Sequence, residues 1–443
     1  SKLVYHINPE HQLSVNFINI QNRLSARLDD SPDEDQDFRD LDLDNWGASV
    51  KWEGKISDKV NLESRFSTSS LELDNTSEGF SGTQRSRLEK YSNTINDTRF
   101  ISEVTIRAGE STTLETGYSL TGYNLRFDER VDQDNFASGR NQNAILHSTY
   151  ASSKNNWGDN FTTTIGLHGD YYGPSNTLYI DPRVSLSFRI NNALYLKNSL
   201  GRSRQFIQKK LRDDFDDFND QAQFWFLPDK TTAVLKSNQI MLGTLYTKNS
   251  WLVDFEMYLR NTDNVTRQAE TENLIPVTLK SWGADLFLKK RWNTVEALLS
   301  YSLSETVTEA METSPIYFDQ RHILNLTVLL HLKQWEFAAN WGYYTGMPVI
   351  VPGTLDMGNM DETPDNLQTT LGERFENQHQ LDIATTFSFP KTPKDWKGII
   401  GLSFLNVYDR QNTVNLFQNN TMSDTPFRSA IRFSPNLQVR FRF

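Results

Sequence analysis

The last seven residues, Leu437-Gln438-Val439-Arg440-Phe441-Arg442-Phe443, alternate apolar with polar side chains. Successive side chains of a β-strand point to opposite faces. Leu437, Val439, Phe441 and Phe443 would therefore share one face, and Gln438, Arg440 and Arg442 the other. A face with two arginines does not suit a dry core. It suits a wall with lipid on one side and water on the other, the arrangement of a transmembrane β-barrel. The chain is expected to stop on the closing strand of such a barrel.

The rest of the sequence repeats this pattern. Across 443 residues there is no linker, no break in composition and no apolar run of the roughly 18 residues that a membrane helix needs. At 37% hydrophobic, with a mean hydropathy of -0.58, the chain is too polar for a helical membrane protein. A barrel tolerates that polarity because only alternate residues touch lipid. Roughly nineteen amphipathic segments of about 8 to 14 residues follow one another, close to the length of a tilted membrane strand. In one, Leu324, Leu326, Val328, Leu330 and Leu332 oppose Asn325, Thr327 and His331. In others, Trp335, Phe337, Ala339, Trp341 and Tyr343 alternate with Glu336, Asn340 and Gly342, and Trp251, Val253, Phe255, Met257 and Leu259 with Asp254, Glu256 and Arg260.

Connections between the segments alternate between tight turns and longer polar stretches, as short periplasmic turns and longer extracellular loops do in outer-membrane barrels. Tight turns are expected at 9–11, 57–59, 109–111, 153–160, 191–193, 249–250, 292–293, 333–334 and 390–395. Long loops are expected at 29–44, 73–94, 129–138, 173–181, 202–236, 264–278, 306–320, 346–378 and 410–430. Trp157, Trp251, Trp292, Trp335 and Trp396 sit at the short turns, where an amphipathic ring favours the membrane–water boundary. The net charge of -11 disfavours a nucleic-acid partner, and the absence of cysteine excludes disulfides and thiolate chemistry. No signal peptide begins at Ser1, as expected of a mature or shortened chain.

Several stretches resemble the barrel of TonB-dependent outer-membrane transporters, most of all those of the Bacteroidetes group. Pro315-Ile-Tyr-Phe-Asp-Gln-Arg-His-Ile-Leu-Asn-Leu326 is similar to the start of a late strand in that family, and Trp341-Gly-Tyr-Tyr-Thr-Gly-Met-Pro348 to the aromatic strand end and turn that follow. Ile180-Asp-Pro-Arg-Val-Ser-Leu186, Leu200-Gly-Arg-Ser-Arg-Gln-Phe206, Leu242-Gly243 with Glu256-Met-Tyr258, and Phe404-Leu-Asn-Val-Tyr-Asp-Arg410 fit the same order. The likeness covers about residue 180 onward, with the earlier part matching by architecture only.

The resemblance implies an all-β, antiparallel transmembrane β-barrel over residues 1–443, supplying about 19 of 22 strands, without the family's N-terminal plug and first strands. Implied partners are that plug with the missing strands, the TonB energy-coupling protein acting through it, and the lipid bilayer with lipopolysaccharide. The barrel-assembly machinery, reading Phe441 and Phe443, and a surface lipoprotein complete the set. The implied function is energy-coupled import of a siderophore, vitamin, oligosaccharide or peptide across the bacterial outer membrane. A passive porin is the alternative, although its chains usually close at about 16 to 18 strands.

Nothing in the sequence points to an enzyme. His6, His11, His147, His168, His322, His331 and His379 are scattered without metal-ligand spacing, and neither a phosphate loop nor a nucleophile elbow is present. Asp254, Glu256, Arg260, Asp285, Glu296, Arg440 and Arg442 are expected to form solvated charge networks on the interior wall. Within the acidic run at 29–44, Asp33, Asp35 and Asp37 have the alternation of calcium ligands, though Phe38 stands where a calcium loop needs glycine. Phe224, Trp225 and Phe226, which follow a second acidic run, and Tyr344 are the candidate substrate contacts, since aromatic platforms bind ligands well. The competing reading has the first three folding their loop onto the barrel rim.

Overall fold

A computed structural model describes residues 1–29, 36–81, 84–131, 136–209, 225–268, 274–309, 319–348, 374–389, 397–416, 427–429 and 431–442. Among the described residues the architecture is all-β, with 19 strands in one large antiparallel sheet. The chain forms two compact units, one of residues 1–186, 199–238 and 262–277, the other of residues 187–198, 239–261 and 278–443.

In the first unit the strands Lys2–Asn8, His11–Asp29, Gln36–Ser57, Val60–Ser81, Gln84–Arg107, Thr112–Val131, Phe136–Trp157 and Phe161–Tyr172 each pair antiparallel with the next. In the second unit the same holds from Leu274–Arg291 through Val295–Thr308, His322–Leu332, Trp335–Tyr344, Gln378–Ser388 and Lys397–Leu405 to Ser434–Arg442. Pairing sequence neighbours needs only tight hairpins, which the turn residues supply. Asn249 and Ser250 both have positive φ, 50° and 62°, as a two-residue hairpin of the favoured twist requires. The turn expected at 390–395 lies outside the described residues.

Most described residues of several expected loops belong to strands instead. His11–Asp29 continues to a partner that begins at Gln36, Val60–Ser81 to one that begins at Gln84, Thr112–Val131 to Phe136, and Trp251–Gln268 to Leu274. Strands of up to 24 residues replace the 8 to 14 anticipated. At about 3.3 Å per residue such a strand reaches well beyond a hydrocarbon core about 30 Å thick. The far ends of these strands carry mostly Asp, Asn, Ser and Thr, and on their covered face the polar Asn75, Ser77 and Asn93 are buried beside Leu41 and Leu73, a composition that reads as a loop.

The two faces of the wall differ as the alternation requires. Along His322–Leu332 the exposed side chains are Leu326 (39%), Val328 (38%) and Leu332 (45%). Cross-strand register joins Leu299, Leu326, Trp341 and Leu381 into one apolar row, and Leu298, Thr327, Asn340 and Asp382 into the adjacent row. On the latter face the Thr327 hydroxyl donates to Asn340 Oδ1 at 2.8 Å. Contiguous exposed apolar rows of this kind are stable in hydrocarbon and a liability in water. No described helix is long and apolar enough to cross a membrane, so strands are the elements able to do so. Trp157, Trp251, Trp292 and Trp335 are exposed beside the short turns, with the Lys290 ammonium 4.9 Å from the Trp251 ring.

Arginine at Leu326 or Val328 should cost about 2 to 4 kcal/mol near the bilayer midplane, and arginine at Thr327 much less. Refolding titrations of the three variants into bilayers measure this. Equal penalties at positions 326 and 327 would reverse the assignment of faces.

Candidate ligand-binding face and rim

On the polar face of the first unit, register brings acidic residues side by side: Glu53 opposes Glu63, and Glu63 opposes Glu103. Like charges directly opposite one another destabilise a sheet. Lys51 offsets this from between two of them, 2.8 Å from Glu53 and 3.6 Å from Glu63, while Arg65 lies 2.6 Å from Glu63. Glu103 instead accepts from the Tyr150 hydroxyl at 2.8 Å. Tyr150 reaches it by lying across Gly117, where a Cβ would meet the ring at 2.4 Å. A cavity of about 420 Å³ on this face is lined by Arg99, Glu103, Ser119, Tyr150, His168 and Arg183. Another, of about 760 Å³, is lined by His11, Glu53, Glu63, Glu103 and Glu115.

Between the strands Leu194–Gln205 and Leu235–Lys248, the described residues 206–209 and 225–234 pack within this unit. Two short strands, Gln208–Lys209 and Trp225–Phe226, pair with one another. Beyond them Phe206, Leu227 and Val234 pack with Leu125, Ala144, Leu146 and Tyr172 into one buried apolar cluster. Polar side chains stitch its backbone down. The Gln142 amide donates to the Leu227 carbonyl at 3.2 Å and accepts from the Leu227 N–H at 3.0 Å. Tyr172, fully buried, donates to the Pro228 carbonyl at 2.8 Å. Gln208 donates to the Ala233 carbonyl at 2.9 Å and accepts from Thr266 at 3.0 Å.

In the second unit, the stretches that carry the transporter resemblance are knots at strand ends. Asp319, buried, accepts from the Thr306 N–H at 3.0 Å and from Arg374 at 2.6 Å. Arg374 also donates to the Gly346 carbonyl at 3.1 Å. Gly346 leaves no room for a side chain, since a Cβ there would lie 1.7 Å from the Phe375 carbonyl oxygen. Farther along, Asn406 is fully buried at a positive φ of 50°. Its amide nitrogen donates to the carbonyls of Arg410 (2.8 Å) and Ile431 (3.1 Å), and its backbone N–H donates to Asp382 at 2.9 Å. Asp409 accepts two bonds from Arg432, at 2.7 and 2.6 Å, and one from the Phe433 N–H at 2.9 Å. The Arg432 guanidinium, followed by the Phe433 amide, holds the Asp409 carboxyl well below the usual carboxylate range.

The candidate substrate contacts separate in this setting. Phe224 lies outside the described residues. Trp225 is half-buried, packed against the apolar cluster, while Phe226 is 2% exposed and presents no surface to a ligand in this conformation. Tyr344, half-buried at its strand end, donates to Asn325 at 2.9 Å. Of the calcium candidates, Asp33 and Asp35 lie outside the described residues, and Asp37 belongs to the strand Gln36–Ser57, opposite Leu28. Farther along the acidic run, Arg23 takes up Asp40 (3.6 Å) and Asp42 (3.4 Å). Phe441 is exposed on the terminal strand, and Phe443 lies outside the described residues. Among the interior charges, Lys197 bridges Asp254 (2.7 Å) and Glu256 (2.6 Å), and Lys289 pairs with Glu296 at 2.8 Å. Sequence reasoning missed the stitching residues Gln142 and Tyr172, because nothing local marks a glutamine or tyrosine that meets a segment 85 or 56 residues away.

Two measurements test this architecture. Gln142→Ala leaves two buried groups of Leu227 without partners, a loss of about 1 to 3 kcal/mol. Limited proteolysis should then cut the 206–234 segment faster while the strands stay resistant; unchanged cleavage would mean that the stitch does not hold it. Asp409→Asn should loosen the 407–433 rim at neutral pH. Because the folded-state pKa of Asp409 is depressed, its contribution is present above the ordinary aspartate value of about 3.9 and is lost as pH falls through the folded-state value. The stability gap between wild type and variant should therefore close in strong acid, as read by pH-dependent thermal melts.

No protein-family model matches the sequence, and no curated protein matches it. Solved structures do match. The outer membrane transporter YddB from Escherichia coli aligns with 99% of this chain and 67% of its own, at 9% identity and a TM-score of 0.66. FpvA of P. aeruginosa, in its complex with a heterologous pyoverdine and iron, aligns with 99% of this chain and 63% of its own, at 9% identity and a TM-score of 0.67. The ferric yersiniabactin uptake receptor FyuA from Yersinia pestis aligns with 100% of this chain and 77% of its own, at 10% identity and a TM-score of 0.70. The chain thus spans between 63% and 77% of the length of these proteins. What it shares with them is the fold, the antiparallel β-barrel of TonB-dependent receptors.

Proposed function

We propose that this chain is the wall of a TonB-dependent importer in the bacterial outer membrane, taking up a scarce siderophore, vitamin, oligosaccharide or peptide. The observation that carries the reading is the alignment of 99% to 100% of the chain with transporter barrels at TM-scores of 0.66 to 0.70. The polar face supports it, since paired charges beside cavities of about 420 and 760 Å³ form a wettable wall able to hold a polar cargo. In this reading Trp225 and Tyr344 contact the ligand, and the rim knots at Asp319 and Asn406 fix the points from which the loops leave. A plug carried elsewhere in the protein fills the lumen and transmits the pull of TonB.

The test is uptake by the host. Deleting the gene should abolish import of one member of a panel of ferric siderophores, cobalamin, oligosaccharides and peptides, each supplied as the limiting nutrient, and the intact gene should restore it. The same loss is expected in a strain without TonB. Import that survives the loss of TonB would assign the chain to passive diffusion and overturn the energy-coupled reading.

A further inference from the structure

Two carboxylates are buried close together on the polar face of the first unit. Asp170, on the strand Phe161–Tyr172, is 3% exposed, and Asp181, on Thr177–Arg189, is 2% exposed. His168 shares a face with Asp170, two residues away, and its Nδ1 lies 3.0 Å from Asp170 Oδ2. One ligand atom from each of His168, Asp170 and Asp181 lies within 4.8 Å of the other two. Burying two ionised carboxylates is costly unless each is paired and hydrogen-bonded. Asp170 is hydrogen-bonded, accepting at Oδ1 from Ser148. Asp181 is not. Arg204 Nε approaches its Oδ1 to 3.2 Å, yet without hydrogen-bond geometry, so both atoms are buried with no hydrogen-bond partner among the described residues. The ion pair leaves the site's polar groups short of one partner.

We propose that His168, Asp170 and Asp181 bind a divalent first-row transition ion, with Zn²⁺ and Mn²⁺ as the candidates. One imidazole nitrogen and two carboxylate oxygens suit such an ion better than they suit calcium, which takes six to eight oxygens. Ligands about 2.1 Å from a metal and at right angles to one another stand about 3.0 Å apart, the spacing of His168 Nδ1 and Asp170 Oδ2. The surroundings also resemble the outer shell of a metal site. Ser148 holds the Asp170 oxygen that faces away from His168, and the Tyr150 ring stacks on the His168 ring at 17°. Arg204 is itself fixed, its guanidinium 4.3 Å from the centre of the Tyr179 ring. The cavity of about 420 Å³ lined by His168 and Ser148 gives the ion a path to the site.

The sequence offered half of this signal. His168-x-Asp170 puts two ligand types on one face of one strand, but Asp181 joins them only through the register of the next strand, which a scattered set of histidines does not disclose.

Isothermal titration of the purified, metal-stripped protein in detergent with Zn²⁺ and Mn²⁺ tests the proposal, as does Mn²⁺ paramagnetic resonance. One ion should bind per chain. His168→Gln and Asp181→Asn should each weaken binding at least about tenfold, and Ser148→Ala about tenfold through the orientation of Asp170. Asp58→Asn, in the exposed turn after the strand Gln36–Ser57, should leave the affinity unchanged. A metal-dependent rise in the melting temperature of the wild type reads the same site without any variant. No binding by the wild type at millimolar metal, or equal binding by wild type, His168→Gln and Asp181→Asn, would overturn the proposal.

Discussion

Every backbone N–H and C=O placed in hydrocarbon must find its partner within the protein, at several kcal/mol for each group left unsatisfied. The rest of this structure depends on that constraint. In a barrel of this fold strands carry any crossing, and each must be paired along its length. Sequence-adjacent antiparallel pairing is the economical solution because tight turns such as Asn249-Ser250 connect neighbours directly. With the backbone satisfied by pairing, the side chains are free to specialise by face. Leu326 and Val328 can meet lipid while Thr327, between them, bonds to Asn340.

Hydrogen-bond pairing also explains which parts of the fold could be read from sequence. Where both faces are constrained, one by lipid and one by water, the period of two is plain, and the strand from His322 to Leu332 was legible residue by residue. Along the far ends of the long strands the covered face takes polar side chains as well as apolar ones, Asn75 and Ser77 lying buried beside Leu41 and Leu73, so the apolar period fades. The run around Asp40 and Asp42 then reads as a loop although its backbone continues a ladder, with Asp40 opposite Ser25 and Asp42 opposite Arg23. The number of strands in the large sheet and their antiparallel order survived this error because each mistaken loop lay between two strands already counted. What failed was length.

The motifs have a similar physical meaning. Asp319-Gln-Arg-His322, the turn through Gly346 and Asn406-Val-Tyr-Asp-Arg410 occupy places where a strand stops and the backbone must satisfy itself in another way. Polar side chains take over the role of the absent neighbour: the buried Asp319 caps Thr306, the buried Asn406 closes on Arg410 and Ile431, and the exposed Asp409 receives Arg432 and Phe433. Residue identity is exacting at such points, because a buried polar group without its partner costs about 1 to 3 kcal/mol. The motifs therefore speak about how the rim is built, and much less about what passes through it.

Ligand contacts were the least legible part, and the 206–234 segment shows why. An aromatic run such as Phe224-Trp-Phe226 can serve a ligand or fasten its own loop, and composition is the same in both cases. Burial distinguishes them. Phe226 lies inside the fold, whereas Trp225 stands at the margin of the apolar cluster with part of its surface free. The fastening depends on Gln142 and Tyr172, distant in sequence, which grip main-chain groups of Leu227 and Pro228, while both of those side chains are held by burial. Such a segment can change its exposed residues while keeping its anchorage, the freedom on which the proposed ligand contact at Trp225 would draw.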